Sequence, residues 1–79
     1  MITEQELNTL ADFGKESDGS YCDRSDYSIA RVNGGKSNWG LYDFDEVDGK
    51  LDLIKELTDF EDLKDTYFLV TYQELKIKK

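Results

Sequence analysis

The sequence predicts a small single α+β domain in the order α-β-β-α-β, a three-stranded, mainly antiparallel sheet with helices packed on it. Three observations predict it. The chain has 79 residues, near the size at which one core only just suffices. Its apolar residues fall in blocks whose period switches between that of a helix and that of a strand. Between two β-rich runs, DYSIARV and WGLYDF, stands Asn33-Gly34-Gly35, which supplies the positive φ a tight hairpin needs. There is no Pro and no low-complexity run, so residues 1–79 read as one domain.

Taken in order, Thr3-Glu4-Gln5-Glu6 has the form of a capping box, in which side chains at both ends satisfy each other's backbone N–H. Ile2 and Leu7 stand at the positions of a hydrophobic staple. Leu7, Leu10, Ala11 and Phe13 share a face, so a helix is expected over residues 4–13, with Gly14 ending it. Residues 15–25 read as a polar loop with an Asp18-Gly19 turn, anchored by Tyr21 and Cys22.

Strands are expected over residues 27–32 and 37–44. Alternation in the first is imperfect, so either both of its faces are partly covered or one is a binding surface. After Asp48-Gly49 the pattern turns helical: Leu53, Ile54, Leu57 and Phe60 fall within about 120° of arc. Thr58-Asp59-Phe60-Glu61 is a second capping box, where that helix is expected to break and restart over 59–65. Residues 66–77, TYFLVTYQELKI, read as the strongest strand, central and covered on both sides because YFLV is continuously apolar. Lys76, Lys78 and Lys79 read as a solvated tail.

Composition excludes several classes of function. A net charge of −8 argues against direct binding of nucleic acid or an anionic membrane, both of which demand basic surfaces. Histidine is absent, which removes the commonest general base and metal ligand. The single Cys22 permits no intrachain disulfide and no cysteine-based zinc site, and it lacks an imidazole to activate it; beside Arg24 and Asp23 it reads as a half-buried structural thiol. The beginning, MITEQELNTL, is acidic without a long apolar run, and the longest apolar run, residues 67–70, is far too short to span a bilayer. A cytoplasmic protein is expected, not an enzyme, with no cofactor.

Asp43-x-Asp45-x-x-Asp48-Gly49 invites comparison with a calcium loop. Counted from Asp43, the fifth, sixth and twelfth positions hold Val47, Asp48 and Ile54, where ligand, glycine and glutamate are required. No metal site is expected.

The charge is concentrated. Residues 43–65 hold ten of the 18 acidic residues against three lysines, and so carry −7 of the −8. On the expected helix, Asp48, Asp52, Glu56 and Asp59 form a column opposite Leu53, Ile54 and Leu57. Its carboxylates lie about 6 Å apart along the axis, of the order of phosphate spacing along a nucleic-acid strand. Two readings stand open. The column is a solvated face that keeps the chain soluble, or it imitates a row of phosphates and occupies the basic groove of a nucleic-acid-binding protein. Trp39, Tyr42 and Phe44 on the second strand read as core, or as aromatic anchors of an interface.

In size, acidity and lack of catalytic residues, the whole chain resembles the small inhibitors of phages and mobile elements, the anti-restriction and anti-CRISPR proteins. The resemblance implies a protein-binding inhibitor that blocks a basic surface of a nucleic-acid-processing partner. The residues expected to carry it are Asp43, Asp45, Glu46, Asp48, Asp52, Glu56, Asp59 and Asp62, with Trp39 or Tyr42 as anchor. The alternatives are a regulatory or immunity-type binding module that uses the hairpin aromatics, and a structural homodimer subunit.

Overall fold

The first helix begins where the capping box puts it. In the computed structural model, which describes residues 1–23, 26–34 and 38–78, the Thr3 hydroxyl accepts from the Glu6 N–H at 3.1 Å and the Glu6 carboxylate accepts from the Thr3 N–H at 3.0 Å. The expectations placed on Arg24, Gly35, Ser37 and Lys79 lie outside the described residues. The helix, α1, covers only Glu4–Asn8. It stops short of residue 13 because the following backbone pairs elsewhere: the Ala11 N–H donates to the Lys76 carbonyl at 2.9 Å, and the Lys78 N–H to that of Thr9 at 2.6 Å. The lysine-rich end is therefore tied down at Lys76 and Lys78.

Five antiparallel strands follow in sequence and in space: β1 (Gly14–Lys15), β2 (Tyr21–Cys22), β3 (Tyr27–Arg31), β4 (Trp39–Asp45) and β5 (Lys50–Glu56). The α+β class stands, but the sheet has five strands among the described residues, not three. The polar loop expected over 15–25 contains the first hairpin, where the Glu16 N–H donates to the Ser20 carbonyl at 2.7 Å. Between β3 and β4, Asn33 takes the expected positive φ, 58°.

The second half reverses the expected order. Residues 50–56 are strand, not helix; the helix expected to restart over 59–65 is present, capped by Asp59 instead of Thr58, but it runs on as α2 (Phe60–Thr71), so residues 66–71 are helix, not strand. A β-bulge explains the first error. Tyr42 lies opposite Leu53 and Leu41 opposite Lys55, so Ile54 has no opposite residue, and the phase of the strand changes there. Leu53 and Leu57 consequently point to opposite faces, and the 53-54-57 spacing imitates a helical stripe. In α2, the Asp59 carboxylate accepts from the Asp62 N–H at 2.8 Å, and Leu63, Thr66 and Tyr67 are its buried residues. Leu63 and Tyr67 keep the i,i+4 spacing of one face. The helix ends at Tyr72, which takes a left-handed φ of 60° and donates to the Phe68 carbonyl.

One face of the sheet makes the core. Tyr21, Ile29, Trp39, Leu41 and Leu57 are buried against Leu7, Leu10 and Phe13 from the N-terminal segment and Leu63, Tyr67 and Leu75 from the C-terminal one. Edge-to-face ring pairs link Phe13 of the N-terminal segment to Tyr67 of α2 at 5.9 Å, Tyr67 to Tyr27 of the sheet at 6.2 Å, and Tyr21 to Trp39 within the sheet at 6.0 Å.

Candidate functional site

The register of β4 and β5 decides where the charges go. Residues directly opposite share a face, so Trp39, Leu41, Asp43 and Asp45 stand with Leu57, Lys55, Asp52 and Lys50 on the helix-covered side. The helices bury only the first half of that row. Beyond it, Asp43 and Asp52 are exposed and face each other across the ladder, two like charges with no cation between them in the register. Such a pair is destabilising in a sheet.

The hairpin turn adds the rest. The Asp45 carboxylate accepts from the N–H of Val47 at 2.9 Å, and Gly49, at φ 67°, donates its N–H to the Asp45 carbonyl at 2.7 Å. Asp45 thus fixes the turn, while Glu46 and Asp48 point into solvent. Asp43, Asp45, Glu46, Asp48 and Asp52 meet at one end of one hairpin, with Lys50 opposite Asp45 as the only base of that hairpin end. Successive same-face residues on a strand lie about 6.7 Å apart. Asp43 and Asp45 therefore keep a spacing of the kind expected for the helical column.

The column itself does not exist. Asp48 is in the turn, Asp52 on the helix-covered side of β5, and Glu56 on the opposite side, where its carboxylate accepts from the Asn38 amide at 3.2 Å. Asp59 caps α2. Asp62 accepts from the Lys55 ammonium at 2.5 Å and from the Thr58 N–H at 3.0 Å. The Lys55 hydrogen bond, and then that of Thr58, hold the Asp62 carboxyl below the usual carboxylate range. Asp59 is committed to the start of α2, and Asp62 to holding α2 onto the end of β5.

Trp39 is 2% exposed, beneath the Arg31 guanidinium at 4.4 Å from its ring, so it is a core residue and offers no face to a partner. Its indole N–H is buried without an acceptor among the described residues. Tyr42 stands on the other, open side of the sheet, half-buried, opposite Ser28 and Leu53.

To the Tyr42 and Phe44 that the sequence singled out, that open side adds Leu51 and Leu53, which sequence reasoning missed. Phe44 lies opposite Leu51 and Tyr42 opposite Leu53, and no helix covers them: Phe44 is 40% exposed, Leu51 and Leu53 47% each. The Leu51-Asp52-Leu53 alternation was the available signal, masked by the bulge. Cys22 sits on the same side, half-buried, with its sulfur 3.2 Å from the Ser28 hydroxyl. Among the described residues no three acidic or cysteine side chains are grouped to hold a metal ion, and no helix is long and apolar enough to cross a membrane. Comparison of the chain with protein-family models, curated proteins and solved structures gives no match.

Proposed function

We propose that this protein is a small acidic inhibitor that binds a basic, nucleic-acid-binding surface of a partner protein by imitating its phosphates, in the manner of the anti-restriction and anti-CRISPR proteins. The observation that carries the reading is the acidic end of the β4–β5 hairpin. The exposed Asp43, Glu46, Asp48 and Asp52 crowd one hairpin end, against one lysine, at a cost in self-repulsion that the fold itself does not need. A concentrated negative field of this kind steers association with a basic groove and makes it fast and sensitive to salt. Of the residues expected from sequence, Asp43, Asp45, Glu46, Asp48 and Asp52 serve in this role, with Tyr42 as the remaining aromatic anchor.

The test is capture of a nucleic-acid-processing protein from a lysate on the immobilised chain, with release by a salt gradient and by added duplex DNA. The triple variant D43K/E46K/D48K, its fold checked by circular dichroism, should capture nothing. Undiminished capture by the folded variant would sink the reading.

A second reading is favoured by the open sheet face: a regulatory or immunity-type module that binds its partner through Tyr42, Phe44, Leu51 and Leu53. Capture would then depend little on salt and fail in Phe44→Ala.

A further inference from the structure

β5 is an exposed edge, blunted by its charges and by the bulge at Ile54 but left open at Leu51 and Leu53. All seven of its residues are exposed, three of them are Leu or Ile, and among the described residues β4 is its only neighbour in the sheet. Natural edge strands are usually shortened, covered or blocked against pairing. The ladder shows which backbone groups of β5 remain unpaired. The Leu57 N–H donates to the Trp39 carbonyl and the Gly49 N–H to that of Asp45, whereas the Phe44 N–H turns the other way, to Asp26 in the direction of β3. Alternation from these fixed points directs residues 50, 52, 55 and 57 of β5 inward, to β4, and Leu51, Leu53 and Glu56 outward.

We infer that β5 pairs antiparallel with β5 of a second copy of this chain, about a two-fold axis at Leu51, joining two five-stranded sheets into one. The register follows from charge and from the bulge. With Leu51 opposite the partner's Leu51, Gly49 meets the partner's Leu53 and Lys50 meets the partner's Asp52, on both sides of the axis. Two opposite-charge pairs form, and both outward groups of Leu51 and the outward N–H of Leu53 find the second strand, the Gly49 N–H being held by its own Asp45.

The neighbouring registers fail. Moving the axis to Asp52 sets Asp52 against the partner's Asp52, and moving it to Lys50 sets lysine against lysine. An axis at Leu53 places Leu51 opposite the partner's Lys55, whose N–H and C=O are engaged by β4, so the ladder ends after one residue. The bulge at Ile54 thus limits the edge to one partner geometry.

That geometry also relieves the strained part of the monomer. On the helix-covered side the row becomes Asp45, Lys50, the partner's Asp52, the partner's Asp43, which places a lysine beside the Asp43–Asp52 pair of each chain. On the open side Phe44 and Leu51 continue directly into the partner's Leu51 and the partner's Phe44. This pairing stands independently of the charge-mimic reading.

Sedimentation equilibrium over a wide concentration range tests it. The wild-type chain should pass from 9.1 kDa toward twice that mass as concentration rises. Lys50→Glu and Asp52→Lys should each stay monomeric, since each sets like charges across the axis. The double variant K50D/D52K restores opposite charges in both pairs and should dimerise again. Leu51→Pro removes an outward N–H that the monomer does not use, so it should keep the circular dichroism of the fold and lose the dimer. A wild-type chain that stays monomeric up to its solubility limit overturns the inference and leaves the edge to some other extended peptide. So does a dimer indifferent to K50E and D52K, or a failure of K50D/D52K to associate while both single variants are folded.

Discussion

The two faces of this sheet are built from the same five strands and differ in what lies on them. On one, Tyr21, Ile29, Trp39, Leu41 and Leu57 are almost wholly buried beneath the terminal segments and α2. On the other, Tyr42, Phe44, Leu51 and Leu53 carry comparable apolar area that stays half in water. Burial of side chains is what stabilises a domain of this size, so the covered face accounts for the fold. The open face and the acidic turn beside it are left half in water and contribute less to stability. The contrast separates residues that make the structure from residues that the structure presents.

The sharpest way to break that contrast is to truncate one leucine on each face. Leu41 is fully buried, and Leu41→Ala is expected to cost about 2–5 kcal/mol of unfolding free energy, including the cavity it leaves. Leu53, at 47% exposure, should lose only about 1 kcal/mol in Leu53→Ala. Urea denaturation of both variants reads the difference directly. Equal losses would mean that the open face is as structural as the covered one.

Gly40 probes the packing of the open face more finely. A Cβ there would stand 2.7 Å from Leu53 Cδ1, 2.9 Å from Val32 Cγ2 and 3.2 Å from Tyr42 Cε1. The end of Leu53 can swing into solvent, but Val32 is branched next to the backbone and nearly buried. Gly40→Ala is therefore expected to cost about 1–3 kcal/mol, as overpacking does. A neutral result would show that Val32, Tyr42 and Leu53 do not close over Gly40 in solution.

The same two faces explain what the sequence disclosed. Local signals that need no tertiary partner were legible: the Thr3/Glu6 box, the positive φ at Asn33, and the β3 and β4 runs all stand where the residues placed them. The exchange of strand and helix in the second half was not, because both segments break their own period. One bulged residue, Ile54, made β5 imitate a helical stripe. In α2, the β-branched Thr66, Val70 and Thr71 lie in a helix because Leu63 and Tyr67 cover the sheet, a tertiary demand that overrides local propensity. The acidic hairpin was found as a cluster in sequence but with the wrong geometry. Its carboxylates gather because two strands meet at a turn, which only the pairing of β4 with β5 reveals.

Asp62 separates structural from presented charge. It ties α2 to β5 through Lys55 and Thr58, so Asp62→Asn should lose about 1 kcal/mol at neutral pH. The folded state holds this carboxyl below its unfolded value of about 3.9, so its contribution is complete above that pH and fades as pH falls through the lower, folded value. Stability curves of wild type and variant should therefore run apart at neutral pH and converge in acid. A constant gap down to the acid limit would assign the loss to geometry and not to the charge.

The smallest expected effect has the opposite sign. Asp43 and Asp52 are exposed, directly opposed and alike in charge, so Asp43→Asn should stabilise the monomer by about 0.2–1 kcal/mol. The gain must be read by urea denaturation at protein concentrations where the chain is monomeric. Its signature is salt dependence. The Debye length falls from about 10 Å at about 0.1 M salt to about 3 Å at about 1 M, shorter than the spacing of opposed strands, and the gain should shrink accordingly. An aspartate that destabilises its own fold only in dilute salt is a surface charge presented at the expense of the structure that carries it. A gain that persists undiminished in high salt would instead mark Asp43 as a poor strand residue, and the repulsion at the hairpin would not be what this fold tolerates.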